Sequence, residues 1–189
     1  MKRALILLLL VSLASCTTKN NIDINTYPIV TTVAQLADYY ILNVDTVGTY
    51  ETTDITTYFD GSVELEYTYE LLESEVLDPL YYSITIEKER TLKDAKEMYL
   101  IGLGAVKLVG NSFGQGTEKI ESIDIPGDQS YYALRTLDGE PNGMFLSVRK
   151  GTRIFTMMVS GLYTSDHSLV TDLIIPKLQN LEHFKFIED

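Results

Sequence analysis

Covalent chemistry has little to work with in this chain: one cysteine, two histidines and no tryptophan in 189 residues. Cys16 is the only thiol, which excludes a disulfide framework and any multi-cysteine metal site. His167 and His183 lack the spacing that places two imidazoles on one helix face, so zinc is not expected. Ser165-Asp166-His167-Ser168 contains the letters of a hydrolase triad. Consecutive helical residues point in different directions, however, and cannot relay a proton among themselves. Helix capping by Ser165 and dipole complementation by Asp166 account for that run better. Gly102-Leu103-Gly104 and Gly114-Gln115-Gly116 each begin like a dinucleotide-binding turn, but Lys107 and Lys119 stand where the third glycine is required. Glu64, Glu66 and Glu70 share one face of a strand pattern, and no glycine-punctuated Asp/Asn loop accompanies them. A solvated acidic face is expected there rather than a calcium site. No catalytic, cofactor-binding or metal-binding residue is assigned, and the chain is not expected to be an enzyme.

Two clusters suit contact rather than catalysis. Thirteen tyrosines without a tryptophan make a skewed aromatic set. Three doublets, Tyr39-Tyr40, Tyr81-Tyr82 and Tyr131-Tyr132, each open an expected strand, where the period of 2 sends one ring inward and the other outward. If the second ring of each joins the core, Tyr39, Tyr81 and Tyr131 face the other way. They then either lie under helices covering that face or form an aromatic patch for a glycan or partner. Arg149, Lys150 and Arg153 crowd around the Lys150-Gly151 turn of an expected hairpin, a local reversal of sign in an acidic chain. That tip is either solvated and paired with Asp138 or Glu140, or contacts an acidic partner surface.

Cys16 itself stands in a recognisable setting. Lys2 and Arg3 precede an almost unbroken apolar run at 4–13. That run is too short for a bilayer hydrocarbon of ~30 Å, which takes about 20 helical residues, and reads as the apolar region of a signal peptide. Leu13-Ala14-Ser15-Cys16 follows. This quartet resembles the lipobox of bacterial lipoproteins: an aliphatic residue, two small residues and a cysteine. The resemblance implies cleavage before Cys16, a diacylglyceryl thioether on its sulfur and acylation (palmitate or a similar chain) of the new amino terminus. Two or three acyl chains hold a protein stably on a membrane, whereas one is marginal. Thr17, rather than Asp, behind the cysteine favours the outer membrane if the cell has one.

The charge agrees with an envelope address and excludes another class. With 27 acidic and 15 basic residues the formal charge is −12, and loss of residues 1–15 removes two of the cations. Such a chain repels phosphate backbones, so nucleic acid is not an expected partner. Anionic headgroups should repel it as well. The organisation expected is a signal peptide at 1–15, the lipidated cysteine and a flexible Asn/Thr-rich tether at 16–27, and a single globular domain at 28–189.

Hydrophobic periods supply the elements. Val30, Val33, Leu36 and Ala37 fit one helical face, and a strand pattern follows from Tyr40. Val63, Leu65, Tyr67, Tyr69 and Leu71 alternate with polar residues, as do Tyr82, Ile84 and Ile86. The period then changes to 3.6 behind Thr91, a good N-cap. Gly102 and Gly104 imply either that this helix ends near Leu103 or that it approaches a sheet closely. Further strands lead to a closing hairpin with Val148 and Met158 at core positions. The run 154–159 is apolar on both faces, as a central covered strand would be. A last helix follows, with Pro176 expected to kink or end it.

Strands joined by short turns, with helices between and after them, predict a mainly antiparallel α+β fold. From 82 to 181 this order resembles the PsbP-like group, on the segment Asn142-Gly143-Met144 to Arg153-Ile154-Phe155 and the helix behind it. The resemblance implies an α/β/α sandwich and a role in binding other proteins. The expected function is therefore a lipid-anchored interaction module of the bacterial cell envelope, facing the periplasm or exterior and contacting another envelope protein. The membrane is a further partner, through Cys16, and the covalent lipid stands in for any cofactor. A carrier of a small apolar or sugar ligand, or an envelope enzyme, is the alternative; a closed apolar cavity would favour the first, and a cleft with converging Asp, Glu or His the second.

Overall fold

Period-2 runs of β-branched and aromatic residues pair into one sheet. The computed structural model describes residues 16–40, 49–71, 80–110 and 115–186. Its strands are β1 (Cys16–Lys19), β2 (Thr49–Tyr58), β3 (Val63–Leu71), β4 (Tyr81–Lys88), β5 (Gln115–Lys119), β6 (Gln129–Leu137), β7 (Glu140–Lys150) and β8 (Arg153–Ser160). All pair antiparallel, in the order β1-β2-β3-β4-β8-β7-β6-β5. The fold is α+β, as expected.

Local chemistry sets the register. Asp138 and Gly139 both take positive φ, 51° and 86°, and close the β6–β7 hairpin as a two-residue turn whose twist matches the strands. β8 is central, between β4 and β7, with Ile154, Phe155, Met157 and Val159 buried. Met157, not Met158, shares a face with Val148. Val148 pairs with Phe155 and Leu146 with Met157, so the expectation for Met158 is off by one residue, enough to reverse its face.

One face carries the main core, built on Leu65, Tyr67, Tyr82, Ile84, Leu146 and Phe155, all fully buried. Helix α1 (Val33–Tyr40) covers part of it, burying Val33 and Leu36. Thr32 and Gln35 form a reciprocal cap, each side chain accepting from the other's backbone N–H at 3.3 Å. Inside, the Tyr67 hydroxyl accepts from Val33 N at 2.8 Å and donates to Glu51 Oε1 at 2.7 Å. The C-terminal helix completes this layer: a wide turn at Leu169–Ile174 continues as α3 (Ile175–Leu178). Pro176 brings no N–H to the ladder, and just before it Ile175 N reaches back five residues to Val170 O. Lys177 Nζ donates to Val30 O and Gln35 Oε1, both at 2.9 Å, and so joins α3 to α1.

The opposite face is only half covered. Helix α2 (Leu92–Gly110) begins where Asp94 N donates to Thr91 Oγ1 at 3.1 Å, and packs Leu103 and Val106 against Tyr131, Ala133 and Phe145. It passes straight through both glycines. A Cβ at Gly102 or Gly104 would meet nothing within 4 Å, so neither a helix end nor a close approach explains them. α2 packs on β5, β7 and β8, and among the described residues this face of β1–β3 stays open. No helix of the described residues is long and apolar enough to cross a membrane.

Two expectations need correction. Tyr39-Tyr40 closes α1 instead of opening a strand; the alternation beyond Tyr40, the signal peptide and the Asp78-Pro79 turn lie outside the described residues. The segment 16–27 is not a free tether. Cys16–Lys19 pairs with β2, Ile22 N donates to Thr53 O at 2.9 Å, and Tyr27 is buried. β2 would otherwise present unpaired edge groups, and β-branched Thr17 and Thr18 suit a strand; Thr18 and Thr56 share a hydroxyl bond at 3.1 Å.

Candidate functional site

Alternation puts Glu64, Glu66 and Glu70 on the open face of β3, and pairing then adds acids from its neighbours. Glu64 stands opposite Glu87 of β4, and Glu66 opposite Asp54 of β2. Like charges directly across a ladder are destabilising. None of the ion pairs among the described residues relieves them.

At one end of this face lies a cleft of about 460 Å³. Asp60, Glu64, Glu87 and Glu89 contribute its carboxylates, and Cys16, Tyr58, Phe59 and Met98 of α2 are also in its lining. Burial, then the charges of Glu64 and Glu89, push the Glu87 carboxyl up to about 7. Burial and neighbouring carboxylates raise Glu64 and Glu89 as well. Tyr58 is pushed up to about 12 by burial and by Glu64. Such a site takes up protons near neutrality and favours a cation. Among the described residues no three acidic, histidine or cysteine side chains are arranged to hold a metal ion.

Known proteins offer no guide. No family model, curated protein or solved structure matches this chain.

The residues singled out in the sequence do not gather into one site. Cys16 is exposed on edge strand β1, at the rim of the cleft. Arg149 is 3% exposed and belongs to no free tip. Its Nε donates to Gln129 Oε1 at 2.7 Å, and its Nη1 to Asp128 Oδ2 and Gly151 O, both at 2.9 Å. Gly151 N donates to the same Asp128 oxygen at 2.9 Å, so the loop before β6 closes over the turn. Asp128, not Asp138 or Glu140, is the partner. Arg153 Nε donates to Phe184 O at 2.8 Å and Lys150 Nζ to Gln179 O at 3.5 Å. Backbone carbonyls from the C-terminal segment thus occupy two cations, and a carboxylate the third.

The tyrosine patch does not form either. Tyr131 is buried under α2 against Phe145, with Lys107 Nζ 5.1 Å from its ring centre. Tyr81 is half-buried at the start of β4. Tyr39 is exposed on α1, in the other layer, and donates to Asp172 Oδ2 at 2.5 Å. The triad letters are likewise structural. His167 Nδ1 lies 2.9 Å from the Tyr132 hydroxyl, and Ser168 Oγ 2.9 Å from that of Tyr40. Asp166 Oδ1 accepts from Ser168 N at 3.1 Å in the turn before the helix, whose N-cap is Ser168 and not the expected Ser165. Glu87 and Glu89 were the residues missed. Glu87 is legible on the polar side of the β4 pattern, its neighbour Glu64 across the ladder is not, and Glu89 lies just beyond the strand.

Proposed function

We propose that this chain is a lipid-anchored binding module of the bacterial cell envelope, held through Cys16, whose open acidic face takes a cationic segment of another envelope protein. The observation that carries this reading is the half-covered sheet. An antiparallel face that keeps Glu64, Glu66 and Glu70 beside Glu87 and Asp54 sacrifices stability, and a basic partner would recover it. Exposed Tyr50 and Tyr58 add aromatic contact area on the same face. A PsbP-like sandwich is part of the proposal. It is supported by helices on both sides of the antiparallel sheet and by the β7–β8 hairpin followed by the terminal helix. An extracytoplasmic site on the outer membrane, where the cell has one, goes with the lipobox.

Cross-linking in intact cells tests this reading. Replacing Glu64, Glu66 and Glu70 together with Gln should leave the protein on the membrane but remove most cross-linked partner. Unchanged cross-linking would move the binding face elsewhere. One observation favours a second reading, an envelope hydrolase: Glu87 near 7 has the poise of a general acid. Hydrolysis of envelope glycans that Glu87→Gln abolishes would decide for it. The cleft is open and acid-lined, so the carrier of an apolar ligand gains no support.

A further inference from the structure

The outer side of α2 is apolar where a soluble helix is normally polar. Met98, Ile101 and Ala105 recur at i, i+3 and i+7, which places them in one stripe. All three are exposed, Ile101 at 62%. Phe59, at the turn between β2 and β3, is 78% exposed. Contiguous apolar exposure of this kind marks a contact surface.

Cys16 indicates what covers it. Cys16 pairs directly with Tyr58, so both side chains leave the sheet on the α2 side. Cys16, Phe59 and Met98 line the same cleft. Acyl chains on the Cys16 sulfur would therefore depart on the side that presents the exposed apolar residues. A second copy fits poorly, because it would bring another strongly acidic chain, −12 before and more negative after loss of Lys2 and Arg3, and its own acidic cleft, against the first.

We propose that the outer stripe of α2, together with Phe59, lies in the interfacial layer of the bilayer that holds the Cys16 lipid. The domain then rests on its α2 side, with β1 held against the membrane, and does not swing on a leash. This rests on the lipid-anchor reading. The bilayer it suits is net-neutral with ammonium-bearing headgroups, since Glu64, Glu87 and Glu89 between Cys16 and Met98 repel an anionic surface. The Tyr50 and Glu70 end of the open face is left for a partner.

The absence of tryptophan supplies the test. Mature chains carrying a single reporter, Ile101→Trp or Ala105→Trp, are purified from membranes and reconstituted into phosphatidylethanolamine–phosphatidylcholine vesicles with acyl chains brominated near the headgroup. Gln179→Trp, exposed on the α3 layer, is the reference. Both α2 reporters should be quenched several-fold more than Gln179→Trp, and less when phosphatidylglycerol replaces half of the lipid. Equal quenching at all three positions overturns the proposal, as does a concentration-dependent blue shift at Ile101→Trp without vesicles, which would indicate a second copy. Mass analysis of the Cys16 peptide tests the anchor separately. If its thiol is free, the anchor reading fails, and the same reporters coupled through Cys16 to a maleimide lipid still decide the orientation.

Discussion

The Arg149 guanidinium is accommodated at 3% exposure because Gln129, Asp128 and the Gly151 carbonyl take three of its N–H bonds. Removing the guanidinium leaves those acceptors without their donor, so Arg149→Gln should cost about 2–3 kcal/mol in urea unfolding. Lys150→Gln, at a long contact on the surface, should stay within about 0.5 kcal/mol. The Gly151 N–H, and after it Arg149, hold the Asp128 carboxyl below its usual value. A lowered folded value stabilises above the unfolded one and is lost as pH falls through it. Asp128→Asn should accordingly flatten the acid limb of a stability profile. Glu87 has the opposite sign. Its folded value is raised from 4.5 to about 7, so stability is fully present below 4.5 and declines as pH rises through 7. Glu87→Gln is therefore expected to stabilise the domain by on the order of 2 kcal/mol above pH ~8 and to change little near pH ~4.

At the scale of elements, α2 carries avoidable costs. Gly102 and Gly104 lie inside the helix with open space where a Cβ would stand. Alanine at either position should raise stability by about 0.5–1 kcal/mol, measured by denaturant midpoint, and a loss would mean that the glycine faces something in solution. Strand β8 makes a sharper distinction. Met157 is fully buried beside Leu146, whereas Met158 is half-buried under α2. Met157→Ala should cost about 2–4 kcal/mol and Met158→Ala clearly less. Equal losses would put the register in doubt.

For the whole molecule, the consequential feature is a sheet with one complete side and one half-complete side. The complete side holds the main core and the C-terminal helix; the other divides between α2 and open acidic strands. Cys16 joins these themes, since β1 attaches it to the edge of the open half. Cys16→Ser should abolish fatty-acid labelling and detergent-phase partitioning while leaving the unfolding midpoint within error, because the side chain is exposed. Wild-type protein that stays unlabelled in the soluble fraction would end the lipoprotein reading.

Much of the framework is legible along the chain. The period-2 runs of β3 and β4, the Thr91 cap and the two-sided apolar run of β8 are all local, as short-range sterics and hydrogen bonding dictate. What is not local is which strand lies beside which. A period of 2 tells that Glu64 and Glu87 each leave the apolar side of their own strand. Only the β3–β4 register sets them face to face, where burial, then Glu64 and Glu89, raise the Glu87 carboxyl. The same holds for Arg149, which the charge pattern places at a turn and the loop carrying Asp128 closes over. It holds too for Cys16, which becomes part of an edge strand because β2 leaves backbone groups in want of partners. Sequence period determines the side a residue takes; the neighbour it meets there is settled by the closure of distant segments into one sheet.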